Sequence, residues 1–95
     1  MSFALKIYNH EKRLCFTRIY YYFKLSRLLI DSAPDLSFKY AEKGIGLGEK
    51  HKNYDYLADF YNTKGLILTD LGHYENALKA FNKSLYSEKK RIPIN

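Results

Sequence analysis

The stretch RIYYYFKLSRLLI, residues 18–30, sets four aromatic side chains in a row between basic ones. Aromatic faces beside cations are what base stacking with phosphate contacts requires, and Arg13, Arg18, Lys24 and Arg27 fall in the same region as Tyr20 and Tyr22. The other candidates for chemistry have poorer spacing. Gly44-Ile-Gly-Leu-Gly48 offers glycines of the kind that cradle phosphates, but no strand pattern precedes it and its spacing fits neither nucleotide fingerprint. His10, His51 and His73 fall in expected loops or helix ends with no carboxylate or cysteine at ligand spacing, so they read as solvated histidines. Cys15 is the single cysteine, which excludes an internal disulfide and leaves a buried thiol as its expected state. Asp59 and Asp70 read as solvated carboxylates, and no Ser/His/Asp or Cys/His arrangement is present. No catalytic residue, cofactor or metal is therefore expected, and the chain does not read as an enzyme.

Composition narrows the class further. Ninety-five residues make one small domain with a limited core. A hydrophobic share of 46% and an aromatic share of 17% exceed what disordered segments carry, so the chain is expected to fold. Ten tyrosines without a tryptophan make the aromatic content amphipathic, suited to half-buried positions and interfaces. The formal charge of +6 would suit nucleic acid, an anionic membrane or an acidic protein and selects none of them. The charge is spread along the chain without a nucleic-acid-binding motif, so RNA or DNA binding stands as the weaker alternative. The start of the chain lacks a basic region ahead of a short apolar run, unlike a signal peptide, and Lys24 and Arg27 interrupt the longest apolar run. No membrane association is expected, and a cytoplasmic location follows as the default.

Four helices are predicted. The first spans about Glu11 to Ile30, with Leu14, Tyr21, Leu25 and Leu28 at helical spacing beside a polar stripe of Arg13, Lys24, Arg27 and Asp31. Ser32, Pro34 and Asp35 form a start signal: a hydroxyl cap, a residue that needs no donor in the first turn, and a carboxylate at the positive helix end. The second helix then runs from about Ala33 towards Lys50, weakened at Gly44, Gly46 and Gly48, where it is expected to fray or end. A third starts near Asn53 as N-cap and ends at Leu71 with Gly72 beyond it; a fourth covers Tyr74 to about Lys90, ahead of Pro93. No stretch alternates with period two, which makes the fold all-α.

Sliding the sequence on itself by forty residues lays Tyr20 on Phe60, Tyr21 on Tyr61, Leu28 on Leu68, Ser37 on Ala77, Ala41 on Phe81 and Ile45 on Leu85. A fixed period of this length is the mark of stacked helical hairpins. In the second unit, Tyr61, Gly65 and Leu68, then Gly72, Tyr74, Ala77 and Phe81, follow a specific pattern of large and small residues. Gly65 and Ala77 are small where two helices cross closely, and Gly72 takes a turn conformation other residues resist. On these residues the chain resembles the tetratricopeptide repeat (TPR) family, in its longer, forty-residue variety. Lys64, Ser84 and the late Pro93 depart from the family pattern. In the first unit Leu25 stands in the place of Gly65, and Ser37, Ala41 and Gly44 keep the second helix small. The resemblance implies a right-handed stack of two antiparallel helical hairpins, a TPR-like α-α superhelix. Residues 1–10 would form a short helical segment or partial cap, 11–50 the first hairpin, 51–90 the second and 91–95 a tail.

The resemblance also implies a protein–protein interaction module: a scaffold or peptide-binding groove, in a chain that could itself be an input domain of a larger regulator. Projection of the groove face gives Ile19, Tyr22, Ser26 and Leu29 from the first unit and Asp59, Asn62, Leu66 and Thr69 from the second. These residues could meet a protein or peptide partner, or equally a neighbouring repeat. The basic set with which chaperone-binding members of the family hold a terminal carboxylate is missing. Leu78, Phe81 and Leu85 lie on the last helix with nothing after them to cover its far side. The expectation is self-association through an end face, most simply a two-fold dimer.

Overall fold

A computed structural model describes the backbone of residues 3–91 and the side chains of residues 13–91. The described chain forms four helices, α1 (Phe3–Leu29), α2 (Pro34–Lys50), α3 (Leu57–Asp70) and α4 (Tyr74–Arg91), with no strand among them. Helix α1 packs on α2, α3 on α4 and α2 on α3, while α1 and α3 touch more lightly. Each pair joined by a short turn is a helical hairpin, and the α2/α3 contact joins the two hairpins. The expected segment at 1–10 and the first helix are one continuous helix from Phe3. At 1.5 Å rise per residue α1 is roughly 40 Å long and α2 roughly 26 Å, so the start of α1 runs past the end of α2. The side chain of His10 and the tail beyond Arg91 lie outside the described residues.

The helix ends show which local signals were decisive. Pro34 does occupy the first turn of α2, with Asp35 beside it, but the N-cap position belongs to Ala33 and no side chain caps the helix there. Ser32 sits one residue too early for its hydroxyl to serve. Helix α3 begins at Leu57 with Tyr56 at its N-cap position, three residues later than expected, because Asn53 is used differently: its Oδ1 accepts the amide of Asp55 at 3.1 Å, an Asx-turn that holds the loop outside the helix. Helix α3 ends at Asp70 with Leu71 as its C-cap, and Gly72 follows as expected just beyond it with a φ of +84°. The His73 amide bonds the Leu68 carbonyl at 2.8 Å and the Gly72 amide bonds Thr69 at 3.0 Å, the paired closure of a Schellman motif. Helix α2 closes in the same manner: Asn53 bonds to Gly48 at 2.8 Å and Lys52 to Glu49 at 3.3 Å, with Lys52 forced to a φ of +52°.

Helix α2 continues through all three glycines to Lys50 instead of fraying. Tertiary packing overrides the weak propensity there. A Cβ on Gly44 would lie 2.2 Å from the ring of Phe60, and one on Gly48 would lie 2.9 Å from Leu57. Both glycines let α3 approach closely, whereas Gly46 points into open space. A Cβ on Gly65 would meet the Phe81 ring at 2.6 Å, so the tight α3/α4 crossing expected at that position is present. Ser37, Ala41 and Gly44 are buried as expected, and the Cys15 thiol is free and buried.

The register of α1 is corrected. Cys15, Ile19 and Ser26 are buried and Tyr22 half-buried, while Tyr21 is 60% and Leu28 74% exposed and Leu14 is also exposed. The expected apolar stripe of α1 therefore exists but faces outward. Ser26, not Leu25, occupies the place of Gly65; its carbonyl accepts the Ser37 hydroxyl at 2.5 Å. Tyr22, not Tyr21, takes the role of Tyr61 and stacks on Tyr40 of α2 with centroids 6.0 Å apart. First helices correspond at a shift of thirty-nine and second helices at forty, where the Ser37 amide bonds Ala33 as the Ala77 amide bonds His73. The odd residue lies in the turn. In the first hairpin the Ala33 amide closes directly on Leu29, four residues back, whereas in the second His73 closes on Leu68, five back, around left-handed Gly72. One residue turns a helix face by about 100°, enough to exchange core for surface.

Candidate binding face

The light contact between α1 and α3 is aromatic. Phe23 stacks on Tyr56 with centroids 4.5 Å apart and meets Phe60 edge-on at 6.4 Å, and Tyr20 lies 6.1 Å from Tyr56. Helix α1 sends these rings across because, in the corrected register, Tyr20, Phe23, Arg27 and Ile30 form one stripe about one residue's rotation from its buried face. Beyond the rings lies an open hollow of about 310 Å³ lined by Arg27, Ile30, Asp59, Asn62, Thr63 and Leu66. The Arg27 guanidinium lies over the Phe23 ring at 5.4 Å, which holds the cation at the edge of the hollow. Arg27 and Asp59 set opposite charges on its lining, with an exposed amide at Asn62 and apolar surface at Ile30 and Leu66. Such a lining can hold an apolar side chain and bond the backbone next to it.

Of the residues projected from sequence, α3 supplies its share. Asn62, Leu66 and Thr69 are exposed, Asp59 is half-buried, and three of the four line the hollow. Thr69 turns its hydroxyl back to the Gly65 carbonyl at 2.8 Å. The α1 residues do not. Ile19 and Ser26 are each 1% exposed and offer no surface; Tyr22 and Leu29 are half-buried, with Tyr22 turned to α2. The cause is the same one-residue shift. Sequence reasoning thus missed Tyr20, Phe23, Arg27 and Ile30, which a shift of thirty-nine lays on Asp59, Asn62, Leu66 and Thr69.

The opposite face carries a second hollow of about 310 Å³ between α2, α3 and α4, with Lys64, Lys79 and Lys83 on its lining. Two of these cations are already engaged. Lys64 pairs with Glu42 at 3.4 Å, and Lys83 lies over the Tyr61 ring at 5.6 Å. The Tyr61 hydroxyl donates to Glu49, and burial together with that carboxylate holds the phenol protonated well above its ordinary range. This face is tied together by its own side chains and is less free to receive a ligand. No group of three or more His, Cys, Asp or Glu residues that could hold a metal occurs among the described residues. No described helix is long and apolar enough to cross a membrane. No protein-family model matches the chain, and no match was found among curated proteins or solved structures.

Proposed function

We propose that this chain is a protein-binding module of the tetratricopeptide type, in which the α1/α3 face receives a peptide segment. The observation that carries this reading is the hollow itself, where an exposed Leu66 and a half-buried Ile30 sit between Asp59, Asn62 and Arg27 beside an aromatic shelf. An extended peptide would place one apolar side chain between Ile30 and Leu66, a carboxylate near Arg27, and its backbone amide group against Asn62. The two hairpins, their small crossing residues and the Gly72 turn support the family reading. The test is selection of peptides from a random display library, followed by isotope-edited NMR mapping. Selected peptides should perturb Arg27, Ile30, Asn62 and Leu66, and Leu66→Lys should weaken binding by about tenfold or more. Peptides that bind equally to Leu66→Lys, or perturb only α4, would defeat the reading.

A nucleic-acid reading stands second, favoured by the exposed stripe of Arg13, Tyr20, Lys24 and Arg27 along α1. Lys24 lies over the Tyr20 ring at 5.8 Å, a cation and a ring together on one surface. Against it, Asp59 stands on the same face. Retention on heparin that falls steeply with salt, and is lost in Lys24→Ala with Arg27→Ala, would favour the second reading over the first.

A further inference from the structure

The two ends of the molecule expose apolar surface, and the joint between the hairpins shows what such surface is for. In that joint, α3 presents Leu57, Phe60 and Lys64 to α2, with Leu57 and Phe60 buried, and Ile67, also buried, continues the same stripe of α3. At a shift of thirty-nine the same face of α1 carries Arg18, Tyr21, Leu25 and Leu28, with Tyr21 and Leu28 among the most exposed apolar residues described. Helix α2 receives α3 on Phe38, Ala41, Gly44, Ile45 and Gly48. At a shift of forty the same face of α4 carries Leu78, Phe81, Ser84, Leu85 and Glu88, with Leu78 61% and Leu85 63% exposed. Each end is thus one half of a joint that the molecule already makes internally.

We propose that the outer face of α1 docks on the outer face of α4 of a second copy, head to tail, repeating the α2/α3 joint between molecules. Carrying the internal contacts outward pairs residues of matching chemistry. Phe60 over Gly44 becomes Tyr21 over Ser84. Lys64, whose ammonium lies 5.7 Å from the Phe38 ring, becomes Leu25 against Leu78, apolar on apolar. Leu57 against Gly48 becomes Arg18 against Glu88, a cation against an anion that also meets Arg91 of its own helix at 3.3 Å on the exposed surface. Where the internal pair loses one kind of complementarity, the external pair gains another, and this selects a second copy as the occupant. Ser84 and Glu88 are larger than Gly44 and Gly48, so the helices of the external joint sit further apart and the joint is weaker than the internal one.

This geometry is heterologous. Two different faces meet, so the contact does not close on itself as a two-fold dimer does, and successive copies add in a row. The inference does not depend on the peptide-binding reading, because the α1/α3 hollow lies on a different side of α1 from Tyr21 and Leu28.

The test blocks one face at a time. Tyr21→Lys is to disable the α1 face and Leu78→Lys the α4 face; both positions are exposed, and circular dichroism is the check that each variant stays helical. Light scattering coupled to size exclusion should show a mass that rises with concentration for the unmodified chain and single-chain mass for each variant alone. An equimolar mixture of the two variants should give the mass of two chains and no more, because one good α4 face meets one good α1 face. A two-fold dimer predicts instead that one variant alone still dimerises and that mixing adds nothing, which overturns the proposal. An unmodified chain that stays at single-chain mass up to millimolar concentration overturns it equally. The charge pair gives an independent arm. Arg18→Glu should weaken association several-fold, and adding Glu88→Arg to the same chain should restore it; failure of that rescue removes the assigned register.

Discussion

The first and second hairpins use the same parts with different turns between them. In the second, Gly72 takes the left-handed conformation and lets His73 close on Leu68; in the first, Ala33 closes on Leu29 with no left-handed residue. Both keep the first helix small where the second crosses it: Ser26 meets Ser37, and Gly65 meets the ring of Phe81. Both also use a hydroxyl of the second helix to bond a carbonyl of the first, Ser37 to Ser26 at 2.5 Å and Ser84 to Ala58 at 2.9 Å. What is kept is the close crossing. What is allowed to change is the number of residues needed to reach it. The turn therefore decides which face of α1 is core, and through that which residues of α1 are left on the surface.

The largest effects should come from the small positions. Ser26→Leu and Gly65→Leu each push a branched side chain into a closed crossing and should cost about 3 kcal/mol or more. Leu25→Ser should cost less than half as much, because Leu25 is half-buried on the outward side. Gly44→Leu should be the worst of the set: Phe60 is fully buried and has nowhere to go, whereas the half-buried Phe81 opposite Gly65 can swing outward. Urea titrations give the ranking. If Leu25→Ser proved more damaging than Ser26→Leu, the thirty-nine-residue register would be wrong and the forty-residue one would return.

The neighbouring tyrosines sharpen the same comparison with a smaller effect. Tyr22 stacks on Tyr40 and borders the core, so Tyr22→Ala should cost about 2 kcal/mol, about half the loss of a fully buried aromatic. Tyr21→Ala, measured at micromolar concentration where chains are apart, should change stability by no more than a few tenths of a kcal/mol. From sequence alone the order was expected the other way, with Tyr22 on an exposed groove and Tyr21 inside. Equal melting temperatures for the two variants would leave α1 without a defined core face.

That reversal marks the boundary of what could be read without coordinates. The four helices, the Gly72 turn, the small positions of α2 and the close crossing at Gly65 were all legible, because each rests on a local signal of strong physical meaning. Helix α2 through its glycines was not, since the residues that justify Gly44 and Gly48 are Phe60 and Leu57, sixteen and nine positions further along the chain and on another helix. Nor was the start of α3, where Asn53 had two good uses and the Asx-turn won. Of the residues projected for a groove, Asp59, Asn62 and Leu66 of α3 line the hollow, whereas Ile19 and Ser26 of α1 are buried because of the turn. A signal was nevertheless present: residues 30–33 read Ile-Asp-Ser-Ala and contain no glycine to match Gly72, so a shorter closure was the physical default. Alignment by composition could not see this, because Tyr20, Tyr21 and Tyr22 are interchangeable to it and separated by a hundred degrees each in the helix.

The smallest effects belong to the closures of α2 and α3, where the chain uses one motif with two different residues. Gly72 takes its positive φ without strain, while Lys52 holds a φ of +52° with a Cβ that disfavours it. Lys52→Gly should therefore stabilise, by a few tenths to about 1 kcal/mol, since relief of the left-handed penalty is partly offset by the greater freedom of glycine in the unfolded chain. Gly72→Ala should cost about 1 kcal/mol, since nothing surrounds its Cβ and only the backbone conformation objects. Gly46→Ala is the control for both. It lies mid-helix with open space beside it and should stabilise α2 by up to about 1 kcal/mol through helix propensity alone. In a domain of this size a change of 1 kcal/mol moves the midpoint of a thermal melt by about 4–8 °C, so all three are measurable. A Lys52→Gly variant that melts lower than the unmodified chain would mean that the Lys52 side chain contributes more to the α2–α3 loop than its backbone costs. The two closures would then not be equivalent, and the shared plan of the hairpins would end at their helices.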